Sequence, residues 1–248
     1  MFLNILLMGV QYFGKDSLLN WSLGTDITCF GAIGYHMQMG SFSVILSAML
    51  LPFSLGNLWF PFVTAVFCGS SWTMLSEGMG VIYLISRRYK TLAAIIALII
   101  TLVFSLWAIR QDKFRSNMAE NGRIGTWEKS LHYALQKPLT GWGPGTYKVI
   151  FPPLDRDIRD DKPYSTAHNW IIELLFEMGI PFTLFVIWWL GDLAYRLMRA
   201  RENVLVAGLI MMGTDGLVHF PDRMIQCVGI IICFLAYCES RLVGSQVK

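Results

Sequence analysis

The chain has 248 residues, of which 54% are hydrophobic and only 15% charged, with a net charge of +3. A soluble domain carries about a quarter charged residues; this deficit, with apolar runs near bilayer thickness, points to a polytopic membrane protein. So small a basic excess excludes a nucleic-acid partner, and the basic residues are better used to set topology among membrane lipids. The five cysteines lie mostly in apolar runs, with no Cys-x-x-Cys pair and no histidine at ligand spacing. They read as buried small hydrophobes, not as disulfides or a zinc site.

Residues 1–13 are apolar but shorter than the roughly twenty that a span needs. They read as the end of a helix whose start is missing, or as an interfacial segment. The N-terminus has no cationic region and no small-residue cleavage site, so a signal peptide is not expected. Residues 14–40, with Lys15, Asp16, Asp26 and His36 among glycines, read as a loop or re-entrant region. Residues 41–55 and 58–75 read as two spans in a tight hairpin, with Pro52 and Pro61 tolerated where neighbouring helices satisfy the freed carbonyls. Ser76-Glu77-Gly78-Met79-Gly80 interrupts that pattern, and 81–85 is too short to span unless it continues the preceding helix. Residues 91–109 form the cleanest span, with no charge. A polar stretch over 111–167 follows, then apolar runs at 170–190, 204–218 and 224–237.

The expected fold is therefore all-α: a polytopic membrane helix bundle of about six or seven spans with a long outward-facing loop containing short helices. Three regions are expected: N-terminal membrane helices over 1–110, a periplasmic loop over 111–167, and C-terminal membrane helices over 168–248. Lys and Arg in short loops set orientation. Arg87, Arg88 and Lys90 fall on one side with Arg196, Arg199, Arg201, Arg241 and Lys248 when the long loop lies opposite. The basic side is then cytoplasmic, and 111–167 and 219–223 face outward. In a two-membrane bacterium, this is an inner-membrane protein with a periplasmic loop.

Within the loop, Arg123 stands in a Gly-flanked turn before a short amphipathic pattern over 127–135. A guanidinium fork fits phosphate oxygens in pairs; a lipid headgroup or a loop carboxylate would serve it equally well. His168 lies where the loop becomes a helix, and an interfacial imidazole can accept a proton from a hydroxyl. Asn169, Glu173 and Glu177 are spaced four apart and share a helix face. Carboxylates in an apolar span are expensive, so they face protein or water. The alternative is a His cap with the Glu residues paired to Arg or Lys. The turn Gly141-Trp142-Gly143-Pro144-Gly145 either shapes a sugar-stacking surface or is a loop anchored at the interface by Trp142 and Tyr147. The mixed-charge run 152–162 reads as a solvated loop. His219, Asp222 and Arg223 form a second outward turn that either joins His168 or caps helices. His36 and His132 read as structural. No nucleotide-binding, metal-ligating or serine-nucleophile motif occurs, so no cofactor and no metal are expected.

Taken together, three patterns resemble one known family. They are Gly122-Arg123-x-x-x-Trp127-x-x-Ser130-Leu131, then Pro138-Leu139-x-Gly141-x-Gly143-x-Gly145-x-Tyr147, then His168-Asn169-x-x-x-Glu173-x-x-x-Glu177-x-Gly179. This order resembles the O-antigen ligase and polymerase superfamily of bacterial membrane glycosyltransferases, as does the upstream run from Phe30 to Pro52. The resemblance covers about 24–223. It implies transfer of a glycan from an undecaprenyl-pyrophosphate carrier to a hydroxyl acceptor, either a lipid A core or another lipid-linked glycan, without a nucleotide sugar. It further implies that Arg123 holds pyrophosphate and His168 is the general base. Trp127, Trp142, Tyr147, Asn169, Glu173, His219 and Arg223 are then expected around the substrates. Two departures stand out. The family often has Ser-Arg-Gly where this chain has Ser76-Glu77-Gly78, so a second phosphate-binding arginine is absent at that position, with Arg110, Arg115 and Arg223 as the candidates to replace it. The family also carries further helices upstream, so the sequence reads as its C-terminal part. The competing expectation is a non-catalytic membrane protein: a flippase-like or transporter-like bundle using Glu173 and Glu177, or an inactive remnant of the ligase fold.

Overall fold

The computed structural model describes residues 36–53, 71–89, 95, 99, 123–154, 166–217, 219 and 225–246. Among them are seven α-helices and no strand: α1 (His36–Leu50), α2 (Ser71–Arg88), α3 (Arg123–Ala134), α4 (Tyr147–Leu154), α5 (Trp170–Arg199), α6 (Asn203–Gly216) and α7 (Ile225–Gln246). The all-helical expectation holds for these residues. The N-terminal apolar segment, Arg223 and, apart from Ile95 and Ile99, the span expected over 91–109 lie outside them. The chain divides into two units, one of Met1–Arg88 with Ala194–Lys248, the other of Tyr89–Leu193.

In the first unit α6 is the central helix, packed on α1 and α2, while α7 packs on α1. Small residues set how close the helices come. A Cβ on Gly208 would stand 2.7 Å from the Phe234 ring and 3.3 Å from the Ala48 carbonyl oxygen. One on Gly80 would meet Met211 at 2.5 Å. Where lipid is as apolar as leucine, this close approach is what favours helix association. Val44, Leu51, Ala207 and Met211 form one buried cluster with Tyr83, Leu84 and Val204 against it. Ile45 and Cys227 form a second, with Phe42, Met212, Ile230 and Ile231. Because Gly80 meets Met211 while the Tyr83 hydroxyl reaches Asn203 Oδ1 at 3.2 Å, α6 runs against α2. The interruption expected at 76–80 is corrected: α2 continues through it to Arg88 and takes in 81–85. Its glycines read as breakers in sequence, yet Gly80 is a contact point with α6.

Among the described residues of this unit, Arg196, Arg199, Arg201 and Arg241 gather at the end where α6 begins. Arg196 donates to both carboxylate oxygens of Glu239, at 2.9 and 2.8 Å. Arg241 donates to Glu202 at 2.6 Å. Between α5 and α6 the chain turns through Arg201 at φ 61, with the Glu202 amide donating to the Leu197 carbonyl and the Arg201 amide to that of Met198. That is the Schellman ending of a helix, here with arginine in the left-handed position usually held by glycine.

In the second unit, α5 is not one helix. At Gly179 the backbone has φ 77 and ψ 177, and two helical segments join there. The segment before the break, 170–178, carries Glu173 and Glu177. The segment after the break is about twenty residues long, or roughly 30 Å at 1.5 Å per residue, which matches a hydrocarbon core. It exposes Phe182, Leu184, Phe185, Ile187 and Trp188. Among the described residues, α5 is the one helix long and apolar enough to cross a membrane.

Candidate functional site

The site region is built on the break in α5. Breaking a helix frees backbone groups that must find partners, above all near lipid. Here the loop 138–146 supplies them. The Trp142 amide donates to the Phe176 carbonyl and the Gly143 amide to the Glu177 carbonyl, both at 2.9 Å. The Ile180 amide donates to the Pro138 carbonyl at 2.7 Å. The Thr183 hydroxyl donates to the Gly179 carbonyl at 2.8 Å. Pro181, which has no amide to satisfy, sits in the first turn of the membrane segment, where proline costs least.

This stitching explains the glycines. Gly141 has φ 63, and a Cβ there would lie 2.4 Å from the Glu177 carbonyl group. A Cβ on Gly179 would lie 2.7 Å from the Leu139 carbonyl. Both contacts are with backbone, which no rotamer change can move away.

Glu177 completes the lock. Its Oε2 accepts the Gly145 amide at 2.8 Å and its Oε1 the Tyr147 amide at 3.0 Å. The carboxylate therefore sits at the N-terminus of α4, where the helix dipole favours negative charge. Behind it lies an aromatic core. Tyr147 is wholly buried, stacked on Phe151 at 4.7 Å and edge-on to Phe176 at 4.9 Å. Its hydroxyl meets Ser130 Oγ at 2.7 Å. That contact uses the small-residue face of α3, whose buried residues include Thr126, Ser130 and Ala134 at intervals of one turn.

Trp142 stacks on Phe176, gives its indole N–H to the Tyr133 carbonyl at 2.9 Å and lies under the Lys137 ammonium. Its place is thus against the broken helix and α3.

Arg123 and His168 come from distant parts of the sequence, and one residue links their settings. Trp127, one turn beyond Arg123 on α3, donates its indole N–H to the Ala167 carbonyl at 2.6 Å. Ala167 immediately precedes His168. The Ala167 amide donates to Glu173 Oε1 at 2.7 Å. The His168 amide donates to Thr166 Oγ1 at 3.2 Å. On the other side, Asn169 Oδ1 caps α5, accepting the amides of Ile171 and Ile172. Between these clamps His168 holds φ 53, a left-handed conformation that costs a non-glycine residue about 1–2 kcal/mol. Strain of this kind persists where neighbours over-determine the backbone, and it gathers at functional positions. His168 and Arg123 are both half-buried, and the Nδ1 atom of His168 is itself buried.

Glu173 and Glu177 thus bind backbone amides, a partner that neither sequence reading names. His219 lies in the other unit. Its Nδ1 is 2.7 Å from Asp215 Oδ1, one turn back on α6, and both side chains are almost fully buried. Sequence reasoning misses Asp215, although a carboxylate inside the apolar run 204–218 is the available signal. Arg223 lies outside the described residues. Among the described residues, no group of three or more His, Cys, Asp or Glu side chains is placed to hold a metal ion.

The family model described as O-antigen ligase matches residues 42–187, more than half of the chain, including the whole of this locked loop and the break at Gly179. The chain belongs to the O-antigen ligase family. The family consists of bacterial membrane proteins, and membership implies glycan transfer of the ligase or polymerase type, with lipid-linked glycan and acceptor as substrates. No match was found among curated proteins. The described residues of the three sequence patterns that resemble the O-antigen ligases lie on α3, on the stretch 138–147 and on 168–179, all in one unit.

Proposed function

We propose that the protein transfers a glycan from an undecaprenyl-pyrophosphate carrier to a hydroxyl of a lipid A core or of another lipid-linked glycan. The acceptor oxygen attacks the anomeric carbon, and the bond from that carbon to the phosphate oxygen breaks. The electron pair leaves with the pyrophosphate, and the acceptor proton passes to His168. Arg123 holds the developing charge on the leaving group. The observation that carries this reading is the Trp127 bridge: it brings the α3 N-terminus, with its arginine, to the residue beside His168. A helix N-terminus and a guanidinium both favour an anion at that place.

The reaction is set at the periplasmic face of the inner membrane, with membrane helices over 1–110 and 168–248, six or seven spans in all, and the loop 111–167 outside the cytoplasm. The gathering of Arg196, Arg199, Arg201 and Arg241 around the α5–α6 turn supports a cytoplasmic end there. The test is complementation in cells lacking the native enzyme. His168→Ala and Arg123→Ala are each expected to abolish glycan transfer with the protein still in the membrane; transfer left intact by both overturns the roles of base and phosphate holder.

A second reading, a transporter-like bundle, starts from Glu173 and Glu177. Both are occupied by loop amides, which leaves the buried Asp215–His219 pair as its strongest support. It predicts that Asp215→Asn abolishes function while His168→Ala does not.

A further inference from the structure

We infer that Trp127 and Glu173 are positioning residues for His168, acting through the Ala167 peptide and not by touching either substrate. The inference rests on His168 being the base of the proposed reaction.

The direction of an imidazole depends on the backbone that carries it. Here the two peptide planes that lead into His168 are held by hydrogen bonds. The plane joining Ala167 to His168 is held at its carbonyl by Trp127 Nε1, at 2.6 Å, and at its amide by Thr166 Oγ1, at 3.2 Å. The plane before it is held at the Ala167 amide by Glu173 Oε1. On the far side of His168, the chain is held by α5 itself, since the Glu173 amide donates to the Asn169 carbonyl at 3.0 Å. Glu173 therefore grips the turn twice, with main chain and with side chain. It does so from inside the protein: Glu173 is 2% exposed and Ala167 1%. A carboxylate so enclosed by its own chain is badly placed to meet a sugar, but well placed to keep the preceding loop in register with the helix.

Trp127 plays the matching part from α3. Its one indole N–H is used on Ala167, so the ring lies between the arginine's helix and the histidine's turn. Its loss would leave Arg123 and His168 in place but free the distance between them. Displacement of a catalytic group by about 1 Å costs on the order of a hundredfold in rate.

The experiment uses the full-length protein, assayed for transfer from a polyprenyl-pyrophosphate-linked glycan to a lipid-linked acceptor, with kcat and KM measured separately. Trp127→Phe keeps an aromatic ring and deletes the N–H. It is expected to lower kcat about ten- to a hundredfold with KM for donor and acceptor within twofold of wild type. Glu173→Gln keeps an acceptor oxygen for the Ala167 amide and is expected to restore most of what Glu173→Ala loses. A Trp127→Phe protein with wild-type kcat, or with a raised KM and unchanged kcat, overturns the positioning role, the latter by making Trp127 a substrate contact. An active His168→Ala protein instead overturns the base assignment, so the two failures are told apart. Trp127→Phe, an aromatic exchange at a partly exposed position, keeps the test decisive where Glu173→Ala does not fold.

Discussion

Replacing Gly141 by alanine tests the lock at its tightest point. The added Cβ would stand 2.4 Å from the Glu177 carbonyl carbon and oxygen and 2.5 Å from the Met178 nitrogen. None of these atoms belongs to a flexible side chain, so the loop must move off the helix. Two losses follow. The left-handed backbone at φ 63 costs a non-glycine residue about 1–2 kcal/mol. Moving the loop also breaks the Trp142–Phe176 and Gly143–Glu177 backbone hydrogen bonds, each worth about 0.5–1.5 kcal/mol. The expected destabilisation is therefore about 2–5 kcal/mol. Gly145→Ala is the internal control: its φ is 72, but a Cβ there meets nothing within 4 Å, so only the strain of about 1–2 kcal/mol remains. Equilibrium denaturation of the purified protein in detergent, with limited proteolysis of the loop, compares the two. Equal losses at the two glycines would refute the close-approach reasoning, since strain alone would then explain both.

Glu177→Ala removes the acceptor of two amides and is expected to cost about 3 kcal/mol, with residues 138–154 becoming protease-sensitive; Glu177→Gln should retain part of the protection. At the strained turn, His168→Asn should hold stability within about 0.5 kcal/mol, because asparagine tolerates the left-handed region, whereas the β-branched His168→Val should lose about 1–2 kcal/mol. Both variants should be inactive, so unfolding midpoints separate them and activity does not. Arg196→Ala should cost less than about 1 kcal/mol, since its ion pair with Glu239 is more than a third exposed. The Glu239 carboxyl is held below its ordinary value of 4.5, chiefly by the Arg196 hydrogen bond. Its contribution is therefore present at neutral pH and lost as pH falls through its folded value, so the midpoint gap between wild type and Arg196→Ala should shrink below about pH 4.5.

The apolar run at 170–190 is legible as a membrane helix because hydropathy alone decides which stretch can be buried in lipid. The break at Gly179 is also written there, as a glycine followed by Pro181, but a count of apolar residues passes over it. Residues 76–80 fail in the opposite sense. Glycine weakens a helix by its entropy, yet between packed helices that loss is offset by close contact, as at Gly80. The partners of Glu173 and Glu177 are not legible. Periodicity shows that two carboxylates share a face, but not that the groups opposite are backbone amides, which nearly every residue type carries. The hydrogen bond of Trp127 is not legible for the same reason: nothing in the sequence ties the indole to the carbonyl of a residue forty positions away.

The break at Gly179 also acts as the elbow of a short arm. Nine helical residues, 170–178, separate it from the turn that carries His168, a reach of about 14 Å at 1.5 Å per residue. With the long apolar segment of α5 beginning at the elbow, His168 lies within one arm's length of the start of that segment, however the arm is tilted. In the proposed reaction, the acceptor brings its hydroxyl into that shell. An acceptor moored in the same bilayer is already there, so the search for it takes place in two dimensions instead of three.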